Sequence, residues 1–136
     1  MIKLKDLLFE QDTNDIAGIL VFNQKNEVLV LFKADGSPDI PKGHINEGET
    51  PIEAVKRELN EETGIVLNTE PNSFGKINVE PGKDFYRFVI QTNQDFVIYL
   101  SDEHKGFEFV DIYSIERGYF WKPVDDFFNE VMSLET

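Results

Sequence analysis

Three glutamates at helical spacing are the residues of this chain best suited to chemistry. Glu58, Glu61 and Glu62 are related by i, i+3 and i+4, so a helix would place their carboxylates on one face, within a few ångströms of each other. Carboxylates this close repel one another, and a hard divalent cation with oxygen ligands converts that repulsion into binding. The spacing therefore predicts a site for Mg²⁺ or Mn²⁺.

The residues that flank the glutamates predict the helix that they require. Thr50 offers a hydroxyl N-cap, Pro51 suits the first helical position, and Glu53 completes a capping box. Gly64 lies where a left-handed C-terminal cap belongs, so the predicted helix runs over residues 51–63. An apolar stripe beside the glutamates is expected to pack into the core; it consists of Ile52, Val55 and Leu59.

The wider pattern over residues 43–65 resembles the Nudix box, G-x5-E-x7-R-E-U-x-E-E-x-G-U, in which U is apolar. Every position of the pattern is filled, by Gly43, Glu49, Arg57, Glu58, Leu59, Glu61, Glu62, Gly64 and Ile65. An ordinary solvated acidic face would not need these partners at these intervals, so the pattern favours a functional site. The resemblance implies a single α/β domain over residues 1–136, a Nudix-type α/β/α sandwich with a mixed β-sheet.

The same resemblance implies a reaction, the hydrolysis of a nucleoside diphosphate derivative by water that attacks phosphorus. It also implies the metal ligands, which are the carboxylates of Glu58, Glu61 and Glu62 and the carbonyl of Gly43. Arg57 would orient a glutamate, and Glu49 would tie the preceding loop to the helix. Both Glu58 and Glu103 are candidates for the catalytic base, and the sequence does not choose between them.

A second motif narrows the range of expected substrates. Pro41-Lys42-Gly43-His44, together with Ser101-Asp102-Glu103-His104 and Phe107, is similar to the asymmetric diadenosine tetraphosphate hydrolases. This similarity implies that Glu103 is a metal ligand or base and that Phe107 stacks on adenine. Four residues remain candidates for binding phosphate or ribose, although each could equally be a loop or surface residue: Lys42, His44, Lys83 and Arg87.

Other substrates and one other class of function remain open. Pro81 is similar to a downstream proline of ADP-ribose pyrophosphatases, which makes ADP-ribose or the 5′-triphosphate end of RNA the runner-up substrate. A sensing module that binds a nucleotide without turnover is the alternative class, but such modules tend to lose the residues that are intact here. The aromatic triplet at residues 119–121 is expected to pack into the core rather than to stack on a ligand.

Composition predicts a small protein of the cytoplasm. The chain has 136 residues and no cysteine, which excludes disulfides and thiol nucleophiles. No apolar run has membrane-spanning length, and charges at Lys3, Lys5 and Asp6 interrupt any signal-peptide core. A net charge of −13 without a basic patch argues against duplex DNA or a membrane as partner. A nucleotide is the expected partner, and both monomer and dimer remain possible.

Apolar runs predict the remaining elements. Two strands at residues 16–22 and 27–32 should form a hairpin, followed by a loop over residues 34–41. Further strands are expected at residues 65–67, 85–91, 97–100 and 107–110, with a loop around residues 70–73. Helical spacing over residues 124–132 predicts a second amphipathic helix that begins just after Pro123.

Overall fold

The computed structural model describes residues 14–134, so the leucines at positions 4, 7 and 8, which sequence left unassigned, lie outside it. Residues 14–134 contain seven strands and two α-helices; the strands are β1 (Ile16–Phe22), β2 (Glu27–Lys33), β3 (Pro38–Asp39), β4 (Lys42–His44), β5 (Asn72–Glu80), β6 (Lys83–Gln91) and β7 (His104–Asp111). Two α-helices are α1 (Pro51–Thr63) and α2 (Lys122–Ser133), and a 3-10 helix spans Ile112–Ser114. Within residues 14–134 no helix is both long and apolar enough to cross a membrane.

The strands form one mixed sheet, as predicted. Its main path runs β3-β2-β1-β6-β5, while β4 pairs with β1 and β7 pairs with β2. The β1–β6 pairing is parallel and the other pairings are antiparallel. Strand β1 is buried along its whole length, as expected for a strand covered on both faces. The start of β1 pairs with β4 on one edge and with the start of β6 on the other, so one strand separates Lys42 from β6.

One helix covers each face of this sheet. On one face, α1 packs Ala54, Val55 and Leu59 against Ile19 and Leu31. The opposite face carries a second apolar cluster, in which α2 contributes Val124, Phe127, Phe128 and Val131. The predicted α/β/α sandwich is therefore confirmed, and the two clusters hold the helices at fixed positions against β1.

Helix α1 has the predicted bounds because its local signals are complete. The Thr50 hydroxyl accepts from the Glu53 N–H at 3.2 Å, and the Glu53 carboxylate accepts from the Thr50 N–H at 2.9 Å. Gly64 has φ of +77° and its N–H donates to Asn60 O at 2.8 Å. Both ends are thus capped, and the register of the glutamates along the helix is set.

Several predicted elements need correction. Residues 65–67 and 97–100 are not strands; the second segment instead caps the end of α1, where Tyr99 N–H donates to Thr63 O at 2.9 Å. Strand β5 was missed because Gly75 (φ +82°) interrupts its alternation at an irregularity in the pairing with β6. Strands β3 and β4 occupy the end of the predicted 34–41 loop and the residues after it, and α2 begins at Lys122, one residue before Pro123.

Candidate active site

The loop before α1 and the helix itself meet at Gly43. This glycine lies on β4 opposite Ala17 of β1, and a side chain on it would overlap the carboxylate of Glu58. A glycine is needed at this position because the Glu58 carboxylate lies directly against its α-carbon. The contact brings the Gly43 backbone and the first of the three helical glutamates together, as a shared metal site would require.

Arg57 joins the glutamates to the loop through four partners. Its Nε and Nη2 donate to the Glu49 carboxylate at 2.7 and 3.0 Å, and Nη2 also donates to the His44 carbonyl at 2.8 Å. Its Nη1 donates to Glu58 at 2.7 Å and to Glu61 at 3.1 Å. Charge-assisted bonds of this kind fix side-chain position. The geometry is that of an arginine that orients two carboxylates and fastens the loop to α1.

Among the glutamates of α1, Glu62 has the most strongly shifted pKa. It is only 4% exposed, and its Oε2 accepts from the Lys42 N–H at 3.1 Å. Burial, followed by the charge of Glu58, raises the pKa of Glu62 to about 9. Burial also raises the pKa of Glu58. Carboxylates with raised pKa values bind a proton or a cation readily, because either one relieves the buried charge.

A cleft of about 480 Å³ opens beside Glu62. It is lined by Lys33, Ala34, Asp35, Asp39, Lys42, Glu62, Glu103 and His104. One potential ligand atom from each of Glu62, Glu103 and His104 lies within 4.8 Å of the other two. Glu103, predicted from the S-x-E-H motif, therefore lies beside the helical glutamates, as its predicted role requires.

The donor set of this cleft fits a divalent cation. His104 is 9% exposed, and its Nδ1 has no hydrogen-bond partner within residues 14–134. Burial lowers the pKa of His104, which keeps the imidazole neutral and a nitrogen lone pair free to act as a ligand. Carboxylate oxygens together with one imidazole nitrogen are a suitable set for Mn²⁺, and the oxygens alone suit Mg²⁺.

Two predicted phosphate ligands converge on an unpredicted aromatic residue. The Nζ atoms of Lys42 and Lys83 lie 5.5 and 5.6 Å from the centre of the Trp121 ring. Lys42 also pairs with the buried Asp39 at 3.1 Å. His44 is exposed on β4, and only its backbone carbonyl contacts Arg57. Lys42 of β4 and Lys83 of β6 therefore lie on the same surface, around Trp121.

The remaining predicted ligands lie elsewhere. Arg87 is buried and donates to Glu130 at 2.8 Å and to the carbonyls of Phe74 and Gly75 at 2.9 and 3.2 Å. These contacts occupy the guanidinium and favour a packing role between β5 and α2, whereas the substrate-binding role of Arg87 stays a prediction. Phe107 is 42% exposed on β7 and is not among the residues that line the cleft, so its adenine-stacking role stays a prediction.

Three residues near the site were not proposed as functional from the sequence: Asp39, His104 and Trp121. Asp39 had been placed in a loop, and only its i, i+3 spacing from Lys42 hinted at the ion pair. His104 was noted within its motif, but its orphaned nitrogen is visible only in three dimensions. Trp121 was expected in the core together with its neighbours, yet 41% of it is exposed whereas Phe120 is buried.

A family model and several known proteins are similar to this chain. A family model described as the NUDIX domain matches residues 12–131. An RNA pyrophosphohydrolase of Rhizobium meliloti is 62% identical over 58 residues, which cover 35% of this chain and 35% of that protein. The chain thus spans about a third of the length of this curated relative.

Two solved structures are similar over most of the chain. The MutT protein from Methanosarcina mazei Go1 has a TM-score of 0.71 and 28% identity, covering 90% of this chain and 94% of that one. The C. elegans Ap4A hydrolase, crystallised as a binary complex, has a TM-score of 0.73 and 19% identity, covering 88% and 96%. The second likeness is one of fold alone.

Proposed function

This chain belongs to the NUDIX domain family, and from that premise we propose that it hydrolyses a pyrophosphate bond in a nucleotide with the help of a divalent cation. The observation on which the proposal rests is the buried Glu62 carboxyl beside Glu103 and His104. A buried carboxyl beside other carboxylates does not stabilise a fold, because each negative charge raises the free energy of ionising its neighbours. A cation in the cleft makes the arrangement favourable.

Of the proposed ligands, Glu62, Glu103 and His104 line the cleft, and the Glu58 carboxylate lies against Gly43. Glu58, Glu61, Glu62, Glu103 and the Gly43 carbonyl would hold Mg²⁺ or Mn²⁺, and His104 adds a nitrogen. When bound, the cation would supply charge to phosphoryl oxygens and lower the pKa of a water molecule. The bonds from Arg57 would keep Glu58 and Glu61 in position without movement during the reaction, which is the basis of electrostatic preorganisation.

The geometry favours Glu103 over Glu58 as the base. Although burial raises the pKa of Glu58, its Oε1 is occupied by an ion pair with Arg57 at 2.7 Å, so that oxygen is not free to accept a proton. Glu103 is exposed at the cleft and makes no ion pair with any residue in the 14–134 range. If one Glu103 oxygen binds the cation, the other would have no competing partner and could accept a proton from water. We therefore assign proton transfer to Glu103.

A diadenosine polyphosphate is the leading substrate, because Glu103 of the S-x-E-H motif lies in the cleft beside the glutamates of α1. The 5′-triphosphate end of RNA is the second candidate, since the local identity to RNA pyrophosphohydrolases covers about a third of the chain. ADP-ribose, suggested by Pro81 alone, ranks below both. The sensing role without turnover ranks last, because the glutamates and Arg57 are intact and mutually bonded.

A product screen tests the function and ranks the substrates. Purified protein is incubated with diadenosine tetraphosphate, 5′-triphosphorylated RNA or ADP-ribose, with Mg²⁺, with Mn²⁺ or with excess chelator, and the products are separated by chromatography. We expect cation-dependent cleavage of the dinucleotide into AMP and ATP. Turnover in complete chelator would refute the cation-dependent mechanism, and the absence of turnover on every substrate would favour the sensing role.

A further inference from the structure

We propose that Trp121 is the stacking platform for the base of the bound nucleotide, and that the ammonium groups of Lys42 and Lys83, which lie over its ring, move to bind the phosphates. This inference rests on the proposed nucleotide substrate and identifies the surface that recognises it. Neither Trp121 nor Phe107 is among the residues that line the cleft, but Trp121 lies next to two predicted phosphate ligands.

The exposure of Trp121 is the first observation. It is the chain's only tryptophan, and 41% of it is exposed although the preceding Phe120 is 5% exposed. Phe120 fills the adjacent core position and packs against Phe128, with ring centres 6.0 Å apart. Because Phe120 already fills that space, the indole of Trp121 is left on the surface, where a ligand can reach it.

The two lysines are the second observation, and they indicate the kind of ligand. Their Nζ atoms lie 5.5 and 5.6 Å from the indole centre, within the range of cation–π contact. The surface therefore combines a flat π-system with two cations on an otherwise acidic protein. A nucleotide has the complementary pair of groups, a flat base and an anionic phosphate, and aromatic stacking of bases works with any base.

Lys42 connects this surface to the proposed metal site. Its backbone N–H donates to Glu62 at 3.1 Å, while its side chain reaches the Trp121 ring. One residue of β4 thus contacts both the carboxylate cluster and the indole. A nucleotide stacked on Trp121 would direct its phosphates past Lys42 toward the glutamates of α1, which is the direction that the proposed reaction requires.

The backbone around Trp121 is held firmly, as a binding platform requires. The buried Asp125 carboxylate accepts from Gly118 N–H at 2.8 Å and from Phe120 N–H at 3.3 Å. The Asp125 N–H in turn donates to the Trp121 carbonyl at 2.8 Å. Three hydrogen bonds to one residue of α2 thus set the loop before the helix. A preorganised aromatic loses little entropy when a ligand binds.

Space for a base exists next to the indole. A groove of about 440 Å³ runs between β5 and the start of α2, a volume in the range of small-molecule sites, roughly 300 to 1,000 Å³. It is lined by Ile77, Asn78, Val79, Glu80, Trp121, Lys122, Pro123 and Asp126. The competing explanation is that Trp121 only packs against lysine stems, in which case no ligand would alter its environment.

Because Trp121 is the single tryptophan, its fluorescence reports on this surface alone. Chelator-treated protein, which does not turn over in the proposed mechanism, is titrated with AMP and with ribose 5-phosphate. The two ligands share sugar and phosphate and differ only in the base. We expect saturable quenching of the indole by AMP and little change with ribose 5-phosphate. Equal signals from both ligands, or the absence of AMP binding, would overturn the proposal.

Variants test the same point by calorimetry. Trp121→Ala should weaken AMP binding by roughly five- to 150-fold, the range that corresponds to base–aromatic stacking of about 1 to 3 kcal/mol. Trp121→Phe should retain most of the affinity. Tyr113→Ala, at an exposed aromatic outside the groove, is the matched control and should bind like the wild type. Unchanged AMP affinity in the alanine variant with a native melting temperature would refute the platform.

Failure of this inference and failure of the proposed function are distinguishable. If AMP quenches Trp121 but no substrate is cleaved in the presence of Mg²⁺ or Mn²⁺, the platform stands and the hydrolase assignment falls. If substrates are cleaved while AMP leaves the indole fluorescence unchanged, the hydrolase assignment stands and the platform falls.

Discussion

The buried Glu62 carboxyl predicts how the stability of the cation-free protein depends on pH. Its pKa is raised from 4.5 to about 9 in the folded state, first by burial and then by Glu58. Between these values the folded chain retains a proton that the unfolded chain has released. The stabilising contribution is therefore complete below a pH of about 4.5 and is lost progressively as the pH rises toward 9.

The size of the effect follows from the same linkage. A difference of one bound proton changes the free energy of unfolding by about 1.4 kcal/mol per pH unit. Between pH 5 and pH 7, Glu62 should therefore lower the free energy of unfolding by about 3 kcal/mol, or roughly 10 °C in Tm for a domain of this size. Addition of Mg²⁺ at a hundred times its Kd should restore about 2.7 kcal/mol at pH 7.

Glu62→Gln isolates this contribution, because the amide keeps the shape and does not ionise. Chelator-treated wild type and variant are unfolded with urea between pH 5 and pH 8. We expect the variant to lack the decline due to Glu62 and to exceed the wild type in stability at pH 7. Glu61→Gln, at a side chain 56% exposed, is the control and should follow the wild-type profile. Parallel profiles for wild type and Glu62→Gln would refute the reasoning.

Three further predictions concern single residues. Glu103→Gln should lower kcat by about a hundredfold or more and leave KM nearly unchanged, since it removes a proton acceptor; steady-state kinetics that show only a raised KM would contradict this. Gly43→Ala should displace the Glu58 carboxylate and lower the rate while the melting temperature shows a folded protein; wild-type turnover would disprove the contact. Arg87→Gln should reduce stability by about 1 to 3 kcal/mol, because Glu130 and two carbonyls lose their donor, yet leave KM unchanged; a selective rise in KM would support its substrate-binding assignment.

Local signals explain which parts of the fold were predictable. Helix α1 was predicted with its observed ends because Thr50, Glu53 and Gly64 satisfy its terminal N–H and C=O groups from within the same segment. Residues 97–100 have the composition of a strand, but Tyr99 forms a hydrogen bond to the end of α1. This contact depends on the tertiary fold, so the local sequence does not predict it. The sequence did not predict β5, because the irregularity at Gly75 interrupts the alternation of apolar and polar residues by which a strand is predicted.

The residues of the candidate site also fall into two groups, those that local spacing predicts and those that it does not. The glutamates of α1 share a short segment, so their spacing alone places them together. His104 and Trp121 depend on contacts between residues far apart in the chain. The nitrogen of His104 that lacks a hydrogen-bond partner lies at the start of β7, beside Glu62, and the lysines around Trp121 come from β4 and β6. No spacing rule within a single segment identifies such neighbours.

The position of Lys42 resolves the apparent conflict between a net charge of −13 and a polyanionic substrate. Its backbone contacts the carboxylate cluster on the α1 side of the site, and its ammonium group lies near Asp39 and Trp121. Charge attraction therefore need not come from the whole surface, since screening makes distant surface charges weak. A bound cation and two lysines beside an aromatic ring would form a local positive surface. On this arrangement the acidic remainder of the protein repels all polyanions alike, and only those with a base would gain stacking on Trp121, which favours nucleotides over other phosphates.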